Sequence, residues 1–134
     1  MQPKSGTTQV DNMAARRVLV CGGRDFADEE QMDRTLTSLL EPSDVIIHGG
    51  ARGADTLAHL WAKKHQTPVE VYPADWKLHG KSAGHIRNAH MLATGIDLVI
   101  AFDGGPGTTN MVTIARRSNV EVYEVPTTSP ESAL

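Results

Sequence analysis

The sequence is short of cysteine, of aromatic rings, of long apolar runs and of excess positive charge, and each shortage narrows what the chain can be. One cysteine, Cys21, among 134 residues leaves no internal disulfide, so the chain is no disulfide-stapled secreted scaffold, and a lone thiol fits a reducing compartment. Its place at the end of the apolar run RVLVC reads as a buried structural thiol rather than a nucleophile. Aromatic residues make up only 4 per cent, which leaves few platforms on which the bases of a single strand could stack. No stretch approaches the roughly 18 to 20 apolar residues of a membrane span, and the N-terminus has no apolar signal core. The expected location is the cytoplasm, with no membrane partner. A formal net charge of -3 and no evident basic stripe give no general attraction to a phosphate backbone, which argues against a nucleic-acid partner.

What is present suits one soluble domain. Hydrophobic residues are 40 per cent and charged residues 22 per cent, and 134 residues are enough to bury about two-thirds of the unfolded surface. Residues 1–15 are polar, aperiodic and rich in turn formers, as is the tail 126–134, so both are expected to be flexible extensions of a folded unit at 16–125. Within that unit short apolar runs alternate with helix-patterned segments, the signature of βαβ units. Strands are expected at 17–21, 44–48, 69–72, 97–102 and 120–125. Helices are expected after a capping-box-like Asp28 and Gln31, from 53 to 65 with Leu57, Leu60 and Trp61 facing inward, from 82 to 94, and from 108 to 118. ADWKLHGK reads as a connection. Right-handed crossovers then favour a Rossmann-like three-layer α/β/α fold with a five-stranded, mainly parallel sheet in the order 3-2-1-4-5.

In such a sheet ligands bind beyond the carboxyl ends of the strands, where the strand order reverses. Three glycine loops are expected there. CGGRDF offers Gly22, Gly23, Arg24 and Asp25; HGGARGAD offers Gly49, Gly50, Arg52, Gly53 and Asp55; FDGGPGTTN offers Asp103, Gly104, Gly105, Gly107, Thr108 and Thr109. Glycine lets bare amides and the start of a helix approach an anion. One Gly-Gly turn after a strand is commonly only a turn, but three on one rim point to a phosphate-bearing ligand. None of them reads G-x-G-x-x-G, and no acidic residue ends the second strand as a ribose clamp. Gly80-Lys81-Ser82 mimics the end of a phosphate-binding loop, yet position 75, where its first glycine belongs, is Asp75, so Lys81 reads as a solvated loop lysine. Histidine spacings show no metal pattern: His85 and His90 are five apart and share no helix face as an i, i+4 pair would. His48, closing the second strand, lies within the expected pocket.

Together RVLVCGGRDF, HGGARGAD, YPADW, AGHIRNAHM and DLVIAFDGGPGTTNM resemble the SLOG superfamily, in its small YspA-like bacterial and phage branch, over residues 16 to 125. The resemblance implies a Rossmann-like domain that binds nucleotides or nucleotide-derived molecules of the ADP-ribose type, and a homodimer. The phosphoribohydrolase relatives of this superfamily pair an arginine segment with a loop P-G-G-x-G-T-x-x-E. Arg87, Asn88 and Met91 fit the first pattern, and Gly104, Gly105, Gly107 and Thr108 the second. Asp103 replaces the proline and Met111 replaces the glutamate, so the relatives' carboxylate is missing.

Two functions follow from different classes. In one the domain is a binding or sensing module for a nucleotide derivative such as ADP-ribose, NAD or a nucleoside monophosphate. In the other it is a nucleotide N-glycosidase in which Arg87 binds phosphate and Asp103, Asp25 or Asp55 does the glutamate's work, with a divalent ion as an optional helper. Single-stranded DNA binding, as in the related DprA proteins, is opposed by the net charge and the few aromatics.

Overall fold

The computed structural model describes residues 15–126; the expected leader and tail lie almost wholly outside them. Five strands, β1 (Arg17–Cys21), β2 (Val45–His48), β3 (Val69–Val71), β4 (Leu98–Ala101) and β5 (Glu121–Glu124), form one sheet in the order β3-β2-β1-β4-β5. Every pairing is parallel, with Leu19 set between Ile47 and Val99 at the centre. Both faces of β1 and β4 are covered, so they read as continuous apolar runs instead of alternating with polar residues.

The helices cover the two faces as layers. Val18, Val20, Ile46 and Ile100 pack with Met32 and Leu36 of α1 (Glu29–Leu39) and with α2 (Ala54–Lys64). On the other face Leu19, Ile47 and Val99 meet Met91 of α4 (Ala83–Ala93) and Met111 and Ala115 of α5 (Pro106–Arg117). A short α3 (Trp76–His79) and a 3-10 turn, Gly80–Ser82, lead into α4.

Local chemistry explains the boundaries, and in four places it departs from the sequence expectation. The Asp28 carboxylate accepts the Gln31 amide at 3.0 Å, capping α1, but the Gln31 side chain donates to the Pro126 carbonyl at 2.8 Å instead of closing a capping box. On α2 the face against the sheet is Ala54, Ala58 and Ala62, all fully buried, while Leu60 is 55% exposed. An alanine stripe lets the helix axis lie close to the strands, and Leu57 and Trp61 fill the flank. The ADWKLHGK connection contains α3 because Asp75 caps it, accepting the Leu78 amide at 3.1 Å. α5 starts two residues before the expected Thr108, with Pro106 in its first turn, where a missing N–H costs nothing.

Away from the loop rim, Arg16 grips the fully buried Asp44 at 2.7 Å. Burial alone would raise the Asp44 carboxyl; the Arg16 guanidinium and the Glu41 amide more than offset it and hold it below the ordinary carboxylate range. Arg17 forms a two-pronged pair with Glu70 across β2.

Candidate functional site

Parallel pairing puts the carboxyl ends of β1, β2 and β4 on one rim, so the three glycine loops meet as expected. They are fastened to one another. The Gly23 amide donates to the Asp103 carbonyl at 2.8 Å, and the Ala54 amide donates to the Gly23 carbonyl at 3.1 Å. Gly53, at φ +82°, lies flat against the Gly23–Arg24 backbone, where a Cβ would collide. Its glycine therefore serves loop-on-loop packing rather than a ligand.

The loops differ in what their amides do. In the loop between β2 and α2 the donors are used internally: the Gly49 and Ala51 amides both donate to Oδ2 of Asp55 at 3.1 Å, and the Gly50 amide donates to Nδ1 of His48 at 3.0 Å. Asp55 thus holds the turn together. Buried to 7% exposure, it has a carboxyl pushed upward by desolvation, against the pull of those two amides and of Arg87. At the start of α5 the situation is reversed. The amides of Gly104, Gly105, Gly107 and Thr108 meet no acceptor among the described residues, as expected for a helix N-terminus with open donors.

The residues that carry these amides line a cavity of about 620 Å3. Gly22, Gly23, Arg24 and Asp25 wall it from the first loop, and Gly49 and Asp55 from the second. The third loop contributes Asp103 through Gly105 together with Gly107 and Thr108, and α4 supplies Arg87 and Asn88. Gly50 and Arg52 line a second, adjoining cavity of about 500 Å3 that shares Arg24, Gly49, Ala51, Trp76 and Arg87 with the first. Gly53 and Thr109 line neither. Among the described residues no cluster of histidine, cysteine, aspartate or glutamate could hold a metal ion.

Arg87 spans both cavities. Its Nη1 donates to the Gly49 carbonyl at 2.6 Å and its Nε to Oδ1 of Asn88 at 3.2 Å, which fixes the guanidinium plane. Burial lowers its pKa, Asp55 pulls it back up and Arg24 adds to the depression; a guanidinium stays charged throughout. Asn88 is the clamp behind it. Its Nδ2 donates to the Gly107 carbonyl at 3.0 Å and to Oδ1 of Asn110 at 3.1 Å, so it sets the start of α5 and is a positioning residue. Met111 is fully buried in the core, so the place of the relatives' glutamate faces the sheet and not the cavity. Cys21 lines the cavity floor with its thiol pKa raised, chiefly by burial and further by Asp55, which matches an inert structural thiol.

Sequence reasoning missed Trp76. It is half exposed, lines both cavities, and carries the Arg24 guanidinium over its ring at 5.3 Å from the centroid. The available signal was a tryptophan inside an otherwise polar connection, directly after a capping aspartate. Lys81 and His85, both exposed, also line the first cavity.

Fold and site together define a Rossmann-like α/β domain with a glycine-walled cleft at the switch point of its sheet. Residues 16–79 match the family described as YAcAr: YspA, cpYpsA-related SLOG family. The Gene 61 protein of Mycobacterium phage D29 is 37% identical over 117 residues, covering 80% of this chain and 94% of that protein. The chain belongs to the YspA, cpYpsA-related SLOG family. Its fold is also similar to that of DNA processing protein A (DprA) from Streptococcus pneumoniae, with a TM-score of 0.71 at 20% identity over 91% of this chain. It spans about half of that protein, 54% of its length, and the likeness is one of fold. Among the described residues no helix is long and apolar enough to cross a membrane.

Proposed function

We propose that the domain binds a nucleotide or nucleotide-derived molecule of the ADP-ribose, NAD or nucleoside-monophosphate type and acts as a sensing or binding module. Family membership points to nucleotide-related binding or processing. The observation that carries the reading is that Gly104, Gly105, Gly107 and Thr108, whose amides meet no acceptor among the described residues, line the same cavity as Arg87, whose guanidinium is fixed. A helix N-terminus with unspent donors and an adjacent arginine fork suits a phosphate in charge and in geometry.

A thermal-shift panel of AMP, NAD and ADP-ribose tests this, because a ligand held only by the folded state raises the melting temperature. Gly107→Asp is the informative variant. A Cβ there meets no atom within 4 Å, and an acidic residue in the first turn favours the helix, yet the carboxylate would occupy the phosphate's place. The expected result is a ligand-dependent rise in the wild type that disappears in the variant, whose own melting temperature is unchanged. No rise with any of the three at millimolar concentration overturns the reading.

One observation favours the N-glycosidase alternative: Asp25, Asp55 and Asp103 line the same cavity as Arg87, and burial raises the Asp55 carboxyl above its ordinary value, the direction a general acid or base requires. Chromatography after long incubation with AMP or NAD distinguishes the two. Released base or nicotinamide that is lost in Asp103→Asn supports cleavage with Asp103 as the working carboxylate; release that persists in that variant moves the role to Asp25 or Asp55. Intact ligand with a thermal shift supports binding alone.

A further inference from the structure

The two adjoining cavities have opposite character. The first contains Asp25, Asp55 and Asp103 along with its cations, whereas the second is lined by Arg24, Arg52 and Arg87 with no carboxylate in its wall. Its remaining surface is apolar or bare backbone, including Pro73, Ala74 and Trp76. A pocket walled by three guanidinium groups and by no carboxylate favours an anionic guest. Arg24 and Arg87 belong to both cavities and so mark the passage from one to the other. Arg24 is held over the Trp76 ring and Arg87 by the Gly49 carbonyl. Arg52 is the cation found in the second cavity alone. Its side chain is 75% exposed, and its one ion pair, to Asp25 at 3.6 Å, is long and open to water, a kind of contact that a phosphate readily displaces.

We propose that the second cavity is an anion-binding extension of the nucleotide site, so that the preferred ligand has two arms joined through a pyrophosphate. The phosphate pair runs from the amides at the start of α5 past Arg87 toward Arg24, one riboside lies in the first cavity, and the second arm lies in the other, with Arg52 selecting two-armed ligands over nucleoside monophosphates. The inference rests on the nucleotide-binding reading and goes beyond it in assigning Arg52 and the second cavity. Cavities of about 620 and 500 Å3 are each within the range that small ligands or their halves occupy.

The experiment is calorimetric titration of AMP and of ADP-ribose into the wild-type protein, Arg52→Gln and Arg52→Glu, with melting temperatures confirming that the exposed substitutions leave the fold intact. Wild type should bind ADP-ribose at least tenfold more tightly than AMP. Arg52→Gln should erase most of that advantage and Arg52→Glu all of it, while the AMP affinity stays within twofold. Equal wild-type affinities for the two ligands, or ADP-ribose binding indifferent to Arg52→Glu, overturns the two-armed site and leaves nucleotide binding standing. A loss shared equally by AMP and ADP-ribose assigns Arg52 to general attraction and also overturns it. Absence of binding by both ligands to the wild type removes the nucleotide reading itself, and the extension with it.

Discussion

Asp55 stands for a general ambiguity at single residues: an aspartate in the first turn of a helix beside a glycine loop can serve the ligand, the helix dipole or the loop. Its Oδ2 takes two loop amides at once, so the loop has first claim. Removing it leaves one buried and one half-buried donor unmet, each worth about 1–3 kcal/mol, while asparagine can present its carbonyl oxygen at the same point. Urea unfolding should therefore find Asp55→Ala destabilised by about 2–4 kcal/mol and Asp55→Asn by about 1 kcal/mol. If alanine costs no more than asparagine, the two amide bonds contribute nothing and Asp55 returns to the list of free carboxylates. The sequence made the residue conspicuous but could not tell these roles apart, because the answer depends on which acceptor lies within 3.1 Å of Gly49 and Ala51. The same limit applies to Gly53, whose glycine is explained by a neighbouring loop about thirty residues earlier in the chain. It does not apply to Arg87, which its segment marked as a site residue and the fold brings to the cleft.

At the scale of elements, the strands were readable because β1 after Arg17 and all of β4 are apolar, and the order 3-2-1-4-5 followed from handedness. The helices were readable in extent but less so in orientation. In α2 the large residues Leu57, Leu60 and Trp61 outweighed the alanines as a hydrophobic signal, yet it is Ala54, Ala58 and Ala62, at i, i+4 spacing, that touch the sheet. Short range decided α3: four residues are too few for any periodic pattern, and only the Asp75 cap betrayed it. The corrected face of α2 makes a prediction with two halves. Ala58→Leu forces three extra carbons between helix and sheet and should lower stability by up to about 3 kcal/mol, whereas Leu60→Gln, on the exposed side, should stay within about 0.5 kcal/mol. Chemical denaturation of the pair decides it, and the reverse ranking would restore the orientation drawn from side-chain size.

For the whole molecule the relevant quantity is how folding stability varies with pH, and a buried histidine dominates one window of it. His48 is 3% exposed, accepts the Gly50 amide on Nδ1 and so carries its proton on Nε2, from which it donates to Nδ1 of His59 at 3.0 Å. A second proton would have to enter at Nδ1, against the Gly50 N–H. Burial first, then His59 and Arg87, lower its pKa from 6.5 to about 4. With the folded value below the unfolded one, the unfolded chain binds more protons between the two, so this stability is complete above about pH 6.5 and drains as the pH falls toward 4. The full contribution is about 3 kcal/mol, of which about 2 kcal/mol disappears between pH 7 and pH 5. Glu70, whose carboxyl Arg17 and Tyr72 hold below its ordinary value of 4.5, and Asp44 lose their contributions at lower pH still, while Asp55, whose carboxyl burial raises, works in the opposite sense as the pH falls. Urea midpoints at pH 7 and pH 5 should therefore fall for the wild type and remain close together for His48→Asn, whose carbonyl oxygen can still accept the Gly50 amide but cannot gain a proton. An equal fall in both proteins would place the acid sensitivity elsewhere in the molecule.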